Sequence, residues 1–248
     1  MAKYKTGAFI AAHSAQTSTT SPLSVSTLSR LSTPVKTYEV IKSSQFTWRG
    51  LELRRHGTPE LWANFIPEVG RDPVLTLHNE SSRGPVVAGA TLPAQGRGLK
   101  VVVGDPYSKP PKEFISVDHK SFFKSSYGIS LRTDEPAYEW RKTHNKELGS
   151  RRMARDDIKL VDPSNGGNIL AAYIENHDGD RDAEADIKIF VELDTDLELL
   201  IVASSIGLQE RLRQQRVNNT AFPKGPPHAL NRQTRHQEVI PVPQSTHT

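Results

Sequence analysis

The sequence predicts a mainly β (α+β) protein: a closed antiparallel β-barrel of about twelve strands around a buried hydrophobic C-terminal helix, with disordered tails. Three observations lead there. Short apolar or alternating runs recur through the middle of the chain, separated by turn residues. One stretch, centred near residue 204, has the length and end signals of a long helix. That stretch is apolar or small on every side, and a helix with no polar face belongs inside a protein.

The ends differ in chemistry from the middle. Of 248 residues, the first 36 carry four basic side chains and no acid, and residues 14–33 are a Ser/Thr-rich low-complexity run. Residues 216–248 are Pro-punctuated and carry a net charge of +3. Neither segment can bury enough apolar surface to offset its ordering entropy. The expected organisation is therefore a disordered tail over 1–36, a barrel domain over 37–215 and a disordered basic tail over 216–248. The overall charge of +4 comes from the tails, which leaves 37–215 at −3. A uniformly basic nucleic-acid face is not expected from such a distribution. There are no cysteines, which removes disulfides, thiolate nucleophiles and zinc–thiolate sites from consideration. No apolar run reaches the 18 residues of a transmembrane helix.

Strands are expected at 38–41, 47–55, 61–66, 74–78, 86–92, 99–103, 114–117, 127–131, 137–142, 158–161, 169–174 and 187–193. The last alternates: Ile187, Ile189, Val191 and Leu193 share one face, with Lys188, Phe190 and Glu192 on the other. Asp162-Pro-Ser-Asn-Gly-Gly reads as the turn between two strands.

The helix is expected over 195–214. Thr195 and Glu198 have the spacing of a capping box, and Asp194, Asp196 and Glu198 suit the positive end of the helix dipole. Arg211 and Arg213 suit the other end. Leu199, Leu200, Val202, Ala203 and Ile206 are the expected buried core of the helix.

The order of these elements carries a resemblance. Tyr138-Glu-Trp-Arg-Lys, then IKLVDPSNGGNILAAYIEN, then ADIKIFVELDTDLELLIVASSIGLQER resembles the tubby C-terminal-like superfamily. That superfamily includes tubby proteins, phospholipid scramblases, LURP-one-related proteins and fungal relatives, and this chain is most similar to the fungal ones. The match is clearest over 127–214. It implies a closed barrel threaded by its C-terminal helix. Tubby proteins hold phosphoinositide headgroups with basic side chains, but no specific pair of those aligns here. Scramblases add a cysteine-rich acylated segment, which this chain does not have.

Arg141, Lys142, Lys146, Arg151, Arg152 and Arg155 form the candidate anion or lipid site, six cations within fifteen residues. Guanidinium and ammonium groups at that density can meet phosphate by charge and by paired hydrogen bonds. Asp178, Asp180 and Asp182 open like a calcium loop, but Ala183 and Ile189 stand where that loop needs Gly and Glu. The run reads better as a charged hairpin tip, with no metal site expected. The histidines show no ligand-pair spacing, and no catalytic motif is present.

The expected function is a non-enzymatic tubby-like module binding anionic lipid headgroups or another phosphorylated ligand through a basic rim. The alternatives are a regulatory barrel that docks protein partners through its tails, and scramblase-like lipid translocation. No cofactor and no nucleic-acid partner is expected, and the protein should be cytoplasmic, at most peripheral to a membrane.

Overall fold

A computed structural model describes residues 33–44, 49–66, 74–93, 98–110, 112–120, 126–131, 137–151, 154, 156–176 and 182–221. Twelve strands form one closed antiparallel barrel in simple meander order. They are β1 (Lys36–Ser43), β2 (Gly50–Arg55), β3 (Thr58–Ile66), β4 (Val74–Asn79), β5 (Val86–Thr91) and β6 (Leu99–Val103). The ring continues through β7 (Ile115–His119), β8 (Ser126–Ser130), β9 (Tyr138–Lys142), β10 (Ile158–Asp162), β11 (Asn168–Glu175) and β12 (Ala183–Ile189). Pairing of β12 with β1, Ile187 opposite Tyr38, closes it. Closure leaves no strand edge exposed.

Alternation sets the two faces of the wall. Leu51, Ala63, Leu77 and Ala88 stand in one register row and point inward; Phe65, Leu75, Ala90 and Val101 form another. The interior is filled by α1 (Thr195–Ala221). Every residue from Leu200 to Arg211 is buried, which an outer-wall helix would not allow. Small inward side chains make room for it. At Gly207 a Cβ would lie 3.2 Å from Leu99 Cδ2 and 3.6 Å from Ala90 Cβ. Two helix hydroxyls that would otherwise be orphaned here bond their own backbone, Ser204 to Ile201 O and Ser205 to Val202 O.

Of the expected helix core, Leu200, Val202, Ala203 and Ile206 are fully buried, and Leu199 is half-buried against the same cluster. Three sequence expectations need correction. The helix cap is Asp194, not Thr195: Asp194 Oδ1 accepts from the Leu197 amide at 2.8 Å. Glu198 does not reach back either, because Lys36 Nζ donates to both its oxygens at 2.8 Å and Tyr38 Oη donates as well. The last strand runs Ala183–Ile189 rather than 187–193. Ala183 and Ala185 are buried in the same alternation as Ile187 and Ile189. Val191 and Leu193 instead pack on the core from the connection into α1. The helix also continues past residue 215, to Ala221. Among the described residues no helix is long and apolar enough to cross a membrane.

Candidate anion-binding turn

The connection between β9 and β10 carries the cations singled out in the sequence. It does not hang free. Thr143 N donates to Asp157 O at 2.9 Å, pinching the two ends together. Between them Lys146–Leu148 forms a 3₁₀ turn, capped by Asn145 Oδ1 accepting from Glu147 N at 2.9 Å. Gly149 ends the turn at φ 94°, a left-handed conformation that glycine takes without strain. Ser150 then folds back, donating from its amide to Asn145 O and from its hydroxyl to Thr143 O.

This coil lies against the outer wall of β11 and β12. Leu148 is 1% exposed, and a Cβ on Gly149 would reach Ile174 Cγ2 at 4.0 Å. Lys188, projecting from β12, donates to Leu148 O at 3.0 Å. Asp157 Oδ1 accepts from the Glu175 amide of β11 at 2.8 Å. One buried leucine and one buried aspartate thus fix the coil to the barrel.

The cations divide into groups. Lys142, Lys146 and Arg151 are exposed along this segment. Arg141 is exposed too, but its Nε and Nη2 donate to Glu139, so its charge is partly met. Strand register sets Lys159 opposite Arg141 on the outer wall. Burial works to raise the Glu139 pKa, but hydrogen bonds from Arg141 and Ser126 and the charges of Arg141 and Lys120 outweigh it. Glu139 is therefore held below the usual carboxylate range. Arg152 and Arg155 lie outside the described residues, as do Asp178 and Asp180. Asp182 precedes β12 and its carbonyl accepts from Lys42 N at 2.8 Å. Among the described residues no group of three acids or histidines could hold a metal ion.

Sequence reasoning missed an ionic cluster where α1 leaves the barrel. Glu210, 4% exposed at its side chain, meets Arg49 Nε at 3.1 Å and accepts from Arg213 Nε at 2.8 Å and Gln214 Nε2 at 3.1 Å. Arg49 also donates from Nη1 to Glu184 at 3.0 Å. The Arg49–Glu210 approach is a charge contact outside hydrogen-bond angles. The spacing of Glu210, Arg213 and Gln214 was visible as a helical pair pattern. Nothing in sequence linked them to Arg49. Several aromatic and imidazole groups among the described residues bond or pack within the wall. His78 bonds Gly84 O at 2.9 Å and Thr76 Oγ1 at 3.0 Å, and His119 meets the Tyr127 ring edge-on. Trp140 and Trp62 are buried; Trp48 lies outside the described residues.

Fold and site together define a closed antiparallel barrel with an axial helix and an exposed basic turn braced on its wall. No protein-family model and no curated protein matches the chain.

Proposed function

We propose that the protein is a non-enzymatic, tubby-like binding module whose β9–β10 turn takes a phosphate-bearing ligand, an anionic lipid headgroup foremost. The observation that carries this reading is the contrast within one segment. Its backbone is held by Leu148 and Asp157, yet Lys142, Lys146 and Arg151 stay exposed. A braced backbone spares the cost of ordering the loop, so only the side chains lose freedom when they meet an anion. Near an anionic leaflet each contributes about 1 kcal/mol. The resemblance of residues 127–214 to tubby-like proteins supports the same reading.

Co-sedimentation with phosphatidylcholine vesicles, with and without phosphoinositide, tests it. Binding should require the anionic lipid, weaken as salt rises, and fall sharply in a Lys142→Glu, Lys146→Glu, Arg151→Glu variant. Equal sedimentation of that variant and the wild type would overturn the assignment.

A further inference from the structure

We infer that the final turns of α1 act as a strap that positions the basic turn, working through Asp156. The functional weight of this rests on the phosphate-binding reading above; the mechanical claim stands without it. Asp156 and Asp157 form the stem of the β9–β10 connection, and they are gripped from two directions. Asp157 belongs to the wall, through Glu175 N and Thr143 N. Asp156 belongs to the helix. Its carbonyl accepts from Gln209 Nε2 at 2.7 Å, and its carboxylate meets Arg216 Nη2 at 2.5 Å. The latter contact also lies outside hydrogen-bond angles, so it acts as an ion pair.

Gln209 and Arg216 are seven residues apart, two helical turns, and so lie on one face. Gln209 is buried within the barrel, whereas the Arg216 side chain is 52% exposed beyond it. The strap therefore runs from the core to the surface. Asp156 is 5% exposed, and a carboxylate that deep is costly unless a cation meets it. Removing Arg216 should free the stem rather than merely fray the helix. Arg151 lies five residues before Asp156, with Ala154 N donating to Arg151 O at 3.0 Å in between. The stem joins the cation-bearing coil at Thr143, one residue after Lys142: the Thr143 amide donates to the carbonyl of Asp157, the neighbour of Asp156. Arg216 and Gln209 are positioning residues for the basic turn.

Hydrogen exchange on the full chain reads the strap directly, at the amides of Thr143, Ser150 and Glu175. Arg216→Ala should speed exchange there by about tenfold, the loss of one charge-assisted contact. Arg216→Lys keeps the charge and should recover most of the protection. Arg213→Ala loosens the same helix end through Glu210 instead, and should leave these amides within about twofold of wild type. Wild-type exchange in Arg216→Ala, or equal acceleration in Arg213→Ala, overturns the strap.

A vesicle-binding arm separates positioning from simple charge. Asp156→Asn removes a negative charge, so electrostatics alone predicts tighter binding to phosphoinositide vesicles. The strap predicts weaker binding together with faster exchange, and tighter or unchanged binding overturns its hold on the site. If wild-type protein binds no vesicles, the phosphate reading fails, and the exchange result alone decides the strap.

Discussion

Trp140 Nε1 donates to Ser204 Oγ at 3.0 Å, joining the β9 wall to the axial helix inside the barrel. Both residues are completely buried, so no water competes for either group. The same hydroxyl donates onward to Ile201 O at 3.1 Å, which makes Ser204 a relay between the wall and the helix backbone.

Replacing Ser204 by Ala should leave an indole N–H unsatisfied in a dry core. The expected loss is about 1–2 kcal/mol in urea unfolding. Adding Trp140→Phe should cost less than the sum of the two single changes, since the orphaned donor is then gone. Full additivity would show that the bond contributes nothing.

Leu200 is 2% exposed within the barrel, and Leu200→Lys would place an ammonium in its apolar interior. The prediction is loss of the cooperative fold, seen as lost near-ultraviolet circular dichroism. A folded Leu200→Lys protein would contradict an interior helix.

Gly207 separates two levels of crowding. Gly207→Ala asks the flexible end of Leu99 to yield by a few tenths of an ångström, and alanine gains about 1 kcal/mol of helix propensity over glycine. Those terms nearly cancel, so its melting temperature should stay close to wild type. Gly207→Leu cannot be accommodated against Ala90 and Leu99, and should unfold the domain.

Alkaline titration should resolve two classes of tyrosine. Tyr38 and Tyr173 are pushed well above the usual phenol range, mainly by burial. For Tyr38 the hydrogen bond and charge of Glu198 add to that, and Tyr138 shifts upward as well. A raised folded-state value means the folded protein holds its proton more tightly than the unfolded chain. The stability this confers is complete below the ordinary phenol value of about 10 and is lost as pH climbs beyond it. Absorbance of ionised tyrosine should show Tyr38 and Tyr173 titrating only with unfolding, and Tyr38→Phe should flatten the alkaline decline.

Glu139 sets how much of the Arg141 charge is on offer. Its folded-state pKa is lowered, so its contribution to stability is present above the unfolded carboxyl range and is lost as pH falls through the lower folded value. At neutral pH it therefore stays charged beside Arg141. Glu139→Gln should raise affinity for phosphoinositide vesicles by about fivefold, one charge equivalent. Unchanged affinity would place Arg141 outside the site.

The barrel was legible because its signals are local. Alternation at Leu51 and Leu53, or at Phe65, needs only neighbouring residues to be read. The helix was legible from Leu200 through Ile206 for the same reason. Ala183 and Ala185 misled because two small side chains set among Asp182, Glu184 and Asp186 give little apolar signal in a local window. The cap was misplaced because Glu198 is claimed by Lys36 and Tyr38, some 160 residues away in sequence. The basic turn was visible as a charge cluster, but its bracing by Leu148, Asp156 and Asp157 depends on tertiary contacts.

The ring closes between the first strand and the last, and the element that fills it follows them all. During synthesis, all twelve strands can pair with their sequence neighbours while their inner faces still have nothing to bury against. Threading a finished ring would drag the charged turn carrying Glu210, Arg211 and Arg213 through an apolar bore. Wrapping the sheet around the helix avoids that. The helix is then a mandrel, and the β1–β12 seam, separated by about 150 residues, is the step with the largest loop-closure cost. Until α1 leaves the ribosome, the nascent protein presents an apolar trough, the kind of surface that chaperones hold.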